Sequence, residues 1–182
     1  MLIVAIVSCL IVGSYAQSDS RGSCLNFIAV DFDPYQGGGA WWEYAATYDP
    51  YYGELRCIIE NWGIPDGNRT SLVTTAIDVN TGNQVVTESR YTKDRYNNKL
   101  HVVSPLPLFG RQTIDFFDME DVYNDYIITS YCMIQGSRSV PVVLILTRSP
   151  NPRTNVIARA QQVARRRGVP VGKFIRFDTN CN

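Results

Sequence analysis

Short segments rich in β-branched and aromatic residues recur along this chain about every 12 residues, and each is cut off by a cluster of turn formers. The breaks fall at Pro50 and Gly53, Pro65-Asp66-Gly67, Asn80-Thr81-Gly82-Asn83, Asn97-Asn98, Pro105 to Pro107, and Gly136. Between them the sequence predicts eight strands, at roughly 39 to 48, 54 to 62, 69 to 79, 84 to 92, 98 to 104, 111 to 117, 124 to 134 and 140 to 148. Turns this short join antiparallel neighbours, because a parallel pair needs a crossover of a dozen or more residues. The expected fold is therefore all-β, an eight-stranded up-and-down antiparallel β-barrel whose interior can hold one small ligand. A seven-stranded immunoglobulin-like sandwich is the rival. It lacks support from any Cys-Trp-Cys spacing and has no place for the helix that closes the chain.

That helix is the one α segment expected with force. Pro152 suits a first-turn position, apolar residues recur at Val156, Ile157, Ala160, Val163 and Ala164, and Gly168 with Pro170 ends the run. The apolar stripe is expected to pack on the outside of the sheet. Arg159, Gln161, Gln162 and Arg165-Arg166-Arg167 occupy the other face and the last turn, where cations suit the helix dipole. The basic run thus reads as a solvated helix end rather than a heparin or nucleic-acid patch. Lys173 to Phe177 is expected to add a ninth short strand.

Residues 1–16 are expected to be a secretory signal peptide, leaving 17–182 as one barrel domain in a secreted, extracellular protein. Met1 to Gly13 is almost wholly apolar, and Ser14 and Ala16 put small residues at the minus-three and minus-one positions of a peptidase site before Gln17. The run is shorter than the roughly 20 residues that span a bilayer, and no other stretch approaches that length, so no membrane span is expected. Seventeen basic residues balance 17 acidic ones, which gives no electrostatic argument for nucleic acid or a membrane surface. Cys9 leaves with the signal. Cys24, Cys57, Cys132 and Cys181 remain and suggest two disulfides, with all three pairings open at this point. With no close Cys-x-x-Cys pair and a single histidine, His101, no metal site is expected.

Three stretches resemble the signature regions of the lipocalins: Gly39-Ala40-Trp41-Trp42-Glu43, Asp125-Tyr126-Ile127-Ile128-Thr129-Ser130-Tyr131-Cys132, and Leu146-Thr147-Arg148-Ser149. Within that family the chain is most similar to the insect bilin-binding proteins and insecticyanins, and to apolipoprotein D. Order, spacing, the following helix and the cysteines all fit. The second stretch departs from the family pattern, since Tyr123-Asn124-Asp125-Tyr126 keeps the aspartate and tyrosine and lacks the usual threonine. The resemblance implies the pairings Cys24–Cys132 and Cys57–Cys181. It also implies a carrier of a small hydrophobic molecule, with a bilin such as biliverdin as the bound chromophore and a fatty-acid, sterol or retinoid ligand as the alternative. No cofactor is required for that role.

The residues themselves agree with a carrier. An inward Trp41 plugs the narrow end of a barrel, Gly39 lets the preceding chain turn beneath it, and Arg148 can lie over the indole. Strand alternation then assigns the lining. From Trp41 it points Glu43, Ala45 and Thr47 inward, and from Arg148 it points Val142, Leu144 and Leu146 inward. The phase that the resemblance implies adds Thr129, Tyr131 and Met133 on the seventh strand, and Gln112, Ile114 and Phe116 on the sixth. Glu43, Ala45, Thr47, Ile114, Phe116, Thr129, Tyr131, Val142 and Leu144 are the expected ligand contacts. A carboxylate at Glu43 needs a partner in an apolar cavity, and a ligand's N–H groups, Arg148 or water would each serve.

No catalytic set can be built. The mature cysteines all have a disulfide role, and no Ser-His-Asp group forms around His101, which is expected to be a strand-face residue rather than a haem ligand. Asn68-Arg69-Thr70 follows a turn and is an N-glycosylation acceptor by sequence. The loop Tyr48-Asp49-Pro50-Tyr51-Tyr52 is expected over the mouth, either as a lid or as a contact in a homo-oligomer.

Overall fold

The computed structural model describes residues 24–25, 27–51, 53–104, 112–135 and 138–182. The expected signal segment, residues 1–16, lies outside the described residues, as do Tyr52, Pro105 to Pro107 and Gly136. Eight strands form one sheet closed on itself: β1 (Gly39–Ala46), β2 (Leu55–Trp62), β3 (Arg69–Asp78), β4 (Gln84–Lys93), β5 (Leu100–Ser104), β6 (Gln112–Val122), β7 (Tyr126–Gln135) and β8 (Arg138–Thr147). Each pairs antiparallel with the next, and β1 completes the ring, with Trp41 opposite Glu60 of β2 and Trp42 opposite Thr147 of β8. This is the expected barrel and not the sandwich. The ninth strand, β9 (Ile175–Arg176), is shorter than the sequence suggests and adds to the outer edge of β1.

Closing the sheet divides its side chains between two cores. Ile58, Leu72, Leu100, Val102, Ile127, Val142, Leu144 and Leu146 are buried inside the barrel. Phe117, Met119, Ile128, Val143 and Ile145 alternate with them and are buried outside, under the helix α2 (Val156–Arg166). Each fully buried aliphatic side chain contributes about 1.5–3 kcal/mol relative to exposure. The α2 stripe of Val156, Ala160, Val163 and Ala164 covers the outer core, as the 3.6-residue period requires.

The helix starts later than Pro152, because Asn155 takes the N-cap and its side-chain oxygen accepts from the Ala158 amide at 3.2 Å. Its basic run is also more occupied than a solvated end. Arg159 donates to both carboxylate oxygens of Glu120, at 2.6 and 2.5 Å, and Arg167 donates to Met119 O at 3.2 Å and lies over the Phe27 ring. Glu120 stands on a part of β6 that the sequence reading left out, residues 118–122. Its acidic residues look like a turn, yet Asp118 faces in, Met119 faces out, and a register shift between Asp118 and Glu120 then turns Glu120 outward to Arg159.

A short helix, α1 (Pro34–Gly37), passes beneath the closed end. Asp33 caps it by accepting from the Tyr35 amide at 2.9 Å. The last residue, Gly37, must be glycine, since a Cβ there would lie 2.2 Å from the Phe32 ring. Both disulfides implied by the family resemblance are formed, with Cα–Cα distances of 5.8 Å for Cys24–Cys132 and 5.0 Å for Cys57–Cys181. They tie the N-terminal arm to β7 and the C-terminal tail to β2. Among the described residues no helix is long and apolar enough to cross a membrane.

Candidate functional site

The floor of the barrel is built by the two ends of its signature. Trp41 is completely buried, and its indole N–H donates to Gly37 O at 2.7 Å. The Arg148 guanidinium lies 3.6 Å from the indole centroid and spends its donors on three main-chain carbonyls: Tyr123 O at 2.9 Å, Ala40 O at 2.9 Å and Gln36 O at 3.1 Å. Gly39, at φ +86, supplies the left-handed turn under the plug. Arg148 therefore clamps the base from below and does not reach Glu43.

Above this floor runs a series of rings that the sequence reading only half found. Phe32 meets Trp62 at 5.1 Å between centroids, Trp62 meets Tyr91 at 4.6 Å, Tyr91 meets Phe116 at 6.3 Å and Phe116 meets Tyr131 at 4.9 Å. The series passes from the N-terminal arm across β2, β4, β6 and β7 on the inner wall. Phe116, Tyr131, Val142 and Leu144 stand on the inner face as expected, and Ile114 lies opposite the inward Val102.

Two expected lining residues are not there. A bulge between Glu43 and Ala45 breaks the alternation on β1, so that Ala45 is buried in the outer core and Ala46 takes the inner position. Thr47 follows Ala45 to the outer phase. Its amide donates to Val143 O at 2.9 Å and its hydroxyl accepts from Val143 N at 3.0 Å, which commits it to the β1–β8 seam.

Glu43 is inside, and its partner is another carboxyl. Glu60 of β2 is buried beside it, and the two carboxyls share a hydrogen bond. Tyr51, folded inward from the β1–β2 loop and 7% exposed, donates to Glu43 Oε1 at 3.2 Å, while the Trp62 indole N–H donates to Glu60 Oε2 at 2.9 Å. So this loop folds at least one tyrosine inward onto the carboxyl pair. Burial, and next the charge of Glu60, push Glu43 well above the usual carboxyl range; burial pushes Glu60 up to about 7.

A third carboxyl, Asp118 of β6, is 2% exposed and is raised by burial and then by the nearby Asp121 charge. The Thr129 hydroxyl faces Asp118 across the β6–β7 pair, and its hydrogen bond partly offsets the effect of burial on that carboxyl. Glu60, Asp118 and Thr129 line one small cavity with Phe32, Trp62, Tyr91 and Phe116, and the space open to the centre of a water molecule there is about 10 Å³. Such a site can accept hydrogen bonds or positive charge from a ligand, and it offers little else. Glu60, Trp62, Tyr91 and Asp118 escaped the sequence reading because no phase had been assigned to β2 or β4 and β6 was ended too early.

Other expected sites lie elsewhere. Asn68 is exposed in the β2–β3 turn at the closed end, a position open to a glycan, with its side-chain amide 3.2 Å from Lys93 O. His101 faces out of the barrel, since its neighbours Leu100 and Val102 face in, and its Nδ1 lies 2.6 Å from Asp115 Oδ1. Among the described residues no group of three or more His, Cys, Asp or Glu side chains is arranged to hold a metal ion.

An up-and-down barrel plugged by a tryptophan over an arginine clamp, with one helix packed outside, defines a small class of ligand-holding barrels. The chain belongs to the Lipocalin / cytosolic fatty-acid binding protein family, whose sequence model matches residues 38–180. Its shape is similar to that of lobster apocrustacyanin A1, with a TM-score of 0.67 and 15% identity over 88% of this chain and 92% of that one. Insecticyanin from the tobacco hornworm Manduca sexta gives 0.64 and 19% over 85% of each chain, and the cockroach allergen Per a 4 gives 0.62 and 13% over 85% and 91%. At these identities the likeness is one of fold. No curated protein matches the sequence significantly.

Proposed function

We propose that this lipocalin is a secreted carrier, not an enzyme, and that it holds a small hydrophobic ligand inside the barrel. The observation that carries the reading is the inner face itself: apolar and aromatic, sealed below by Trp41, with small residues at Ala46 and Ala76 towards the mouth. The two disulfides suit an extracellular life. A bilin such as biliverdin is the favoured ligand, supported by the motif resemblance to insect bilin carriers and by the fold shared with insecticyanin. Glu43 would be in reach of its pyrrole N–H groups, with Phe116, Thr129, Tyr131, Val142, Leu144 and Ile114 around it. A fatty acid, sterol or retinoid is the alternative.

An absorption spectrum of the purified secreted protein tests this directly. Strong bands towards the red support the bilin, whereas a colourless protein with lipid in its organic extract supports the alternative. Failure to take up either class after incubation with both refutes the carrier. Glu43→Gln should shift the bilin spectrum, and an unchanged spectrum removes Glu43 from the ligand contacts.

A further inference from the structure

We propose that Asn68 carries an N-linked glycan and that its first sugar is seated in a groove across the closed end of the barrel, where it covers the strap Asp31 to Tyr35. The inference rests on the secreted reading, because the modification belongs to secreted chains, and it adds a sugar site on the outside of the carrier.

The acceptor is held rigidly. Gly67-Asn68 is a two-residue turn between Asp66 and Arg69, which exchange main-chain hydrogen bonds at 2.8 and 3.0 Å, and Gly67 at φ +61 supplies the conformation such a turn needs. Asn68 is exposed at the tip and tied to β4 twice. Its carbonyl accepts from the Lys93 amide at 2.8 Å, and its side-chain Nδ2 donates to Lys93 O at 3.2 Å. Attachment of a sugar replaces one of the two Nδ2 hydrogens. The other is enough to keep the bond to Lys93 O, so the glycosidic bond leaves a fixed side chain in a fixed direction.

That side chain forms part of the wall of an open groove, with Asp31, Tyr35, Lys93, Arg95 and Asn98 around it. The space within is about 440 Å³, in the range of sites that hold small molecules. A sugar needs hydrogen-bond partners around its rim and a flat apolar surface for its C–H face. The groove supplies both: the exposed Asp31 carboxylate, the Arg95 guanidinium and the Asn98 amide as partners, and the Tyr35 ring, 72% exposed, as the surface. Behind the groove the wall is thin. A water-sized void shares Pro34, Asn68 and Lys93 with the groove, and Phe32, Tyr91 and Leu100 with the inner cavity. Lys93 holds this side closed by donating to Asp31 and, at 2.8 Å, to Phe32 O. A sugar resting across Pro34 and Tyr35 covers that spot and keeps the strap against β4. A protein partner on the same groove would have to displace a chain grown from the groove's own wall, which favours the glycan as the occupant.

The test uses the full chain expressed in cultured animal cells, beside two forms that lack the acceptor motif, Asn68→Gln and Thr70→Val. The second leaves Asn68 and its bonds to Lys93 in place, and either form suffices for the comparison. Peptide mass should find the glycan on Asn68. Nitration by tetranitromethane, followed at each tyrosine by peptide mass, then reads the seat. Tyr35 lines the groove, whereas Tyr96, 97% exposed, is outside its lining and serves as the internal control. A sugar seated about four-fifths of the time leaves the Tyr35 ring free for the rest, so glycosylation should slow its nitration about fivefold and leave Tyr96 unchanged. A secreted chain with Asn68 unmodified overturns the modification and the seat while leaving the carrier intact, and a chain retained inside the cells overturns the secreted reading with them. Equal nitration of Tyr35 with and without the glycan, or equal slowing of Tyr35 and Tyr96, overturns the seat alone.

Discussion

Glu60 is the residue whose ionisation this fold should resist most measurably. Its carboxyl is 6% exposed, and burial raises it from 4.5 to about 7 against the opposing hydrogen bonds from Trp62 and Glu43. Because the folded value is the higher one, the stability it contributes is fully present below pH 4.5 and is lost as the pH rises through about 7. A group titrating near 7 when folded and 4.5 when unfolded makes the protein less stable above both values by on the order of 3 kcal/mol. Glu43 and Asp118 are raised in the same sense, so they reinforce the slope. The assay is urea unfolding with disulfides intact at pH 5, 6, 7 and 8, on the wild type and on Glu60→Gln. The glutamine oxygen can still accept from the Trp62 indole, so the variant should fold. Wild-type stability should fall across this range, and the variant should fall by about 1–3 kcal/mol less. Groups that the Glu60 charge does not reach cancel in the comparison, and the difference belongs to Glu60, Glu43 and Asp118 jointly, since charge on Glu60 raises the other two. Parallel curves, or a wild type that gains stability towards pH 8, would refute the reasoning.

Three further substitutions probe the frame around the site. Arg148→Lys keeps the charge but loses the planar fork that meets three carbonyls and covers Trp41; thermal unfolding should show a loss of about 2 kcal/mol, and a loss below about 0.5 kcal/mol would refute the clamp. Ala45→Leu and Ala46→Leu should each cost about 1–3 kcal/mol by overpacking a full core, but only Ala46→Leu should weaken binding of N-phenyl-1-naphthylamine, and the reverse outcome would mean that the bulge on β1 is misplaced.

That pair of alanines marks where alternation stops being a guide. On β7 and β8 it serves well: Thr129, Tyr131, Val142 and Leu144 all stand inside, because the two strands pair residue for residue from Tyr126–Thr147 to Gln135–Arg138 without a slip. The plug, the clamp and the strand count were legible for a similar reason, since each depends on residues whose chemistry permits few alternatives. Of the three interior carboxyls, Glu43 followed from the phase of Trp41, whereas Glu60 and Asp118 were not read. Register shifts lie between Glu43 and Ala45, between Arg56 and Ile59 and between Asp118 and Glu120, and each adjoins or closely precedes a strand position that carries a buried acid. One of them includes Cys57 at φ +51, a conformation that a side chain rarely adopts and that its disulfide to the tail helps to hold. A bulge re-aims the side chains around it, so a strand can turn one carboxyl inward and still present the next, as at Asp118 and Glu120, to a helix outside. The parity of an alternating pattern carries no trace of such a step. Acids in this barrel lie beside its irregularities, yet Glu60 keeps the parity of Ile58 and Trp62 and Asp118 that of Phe116, so a phase assigned to β2 and a longer β6 would have revealed both.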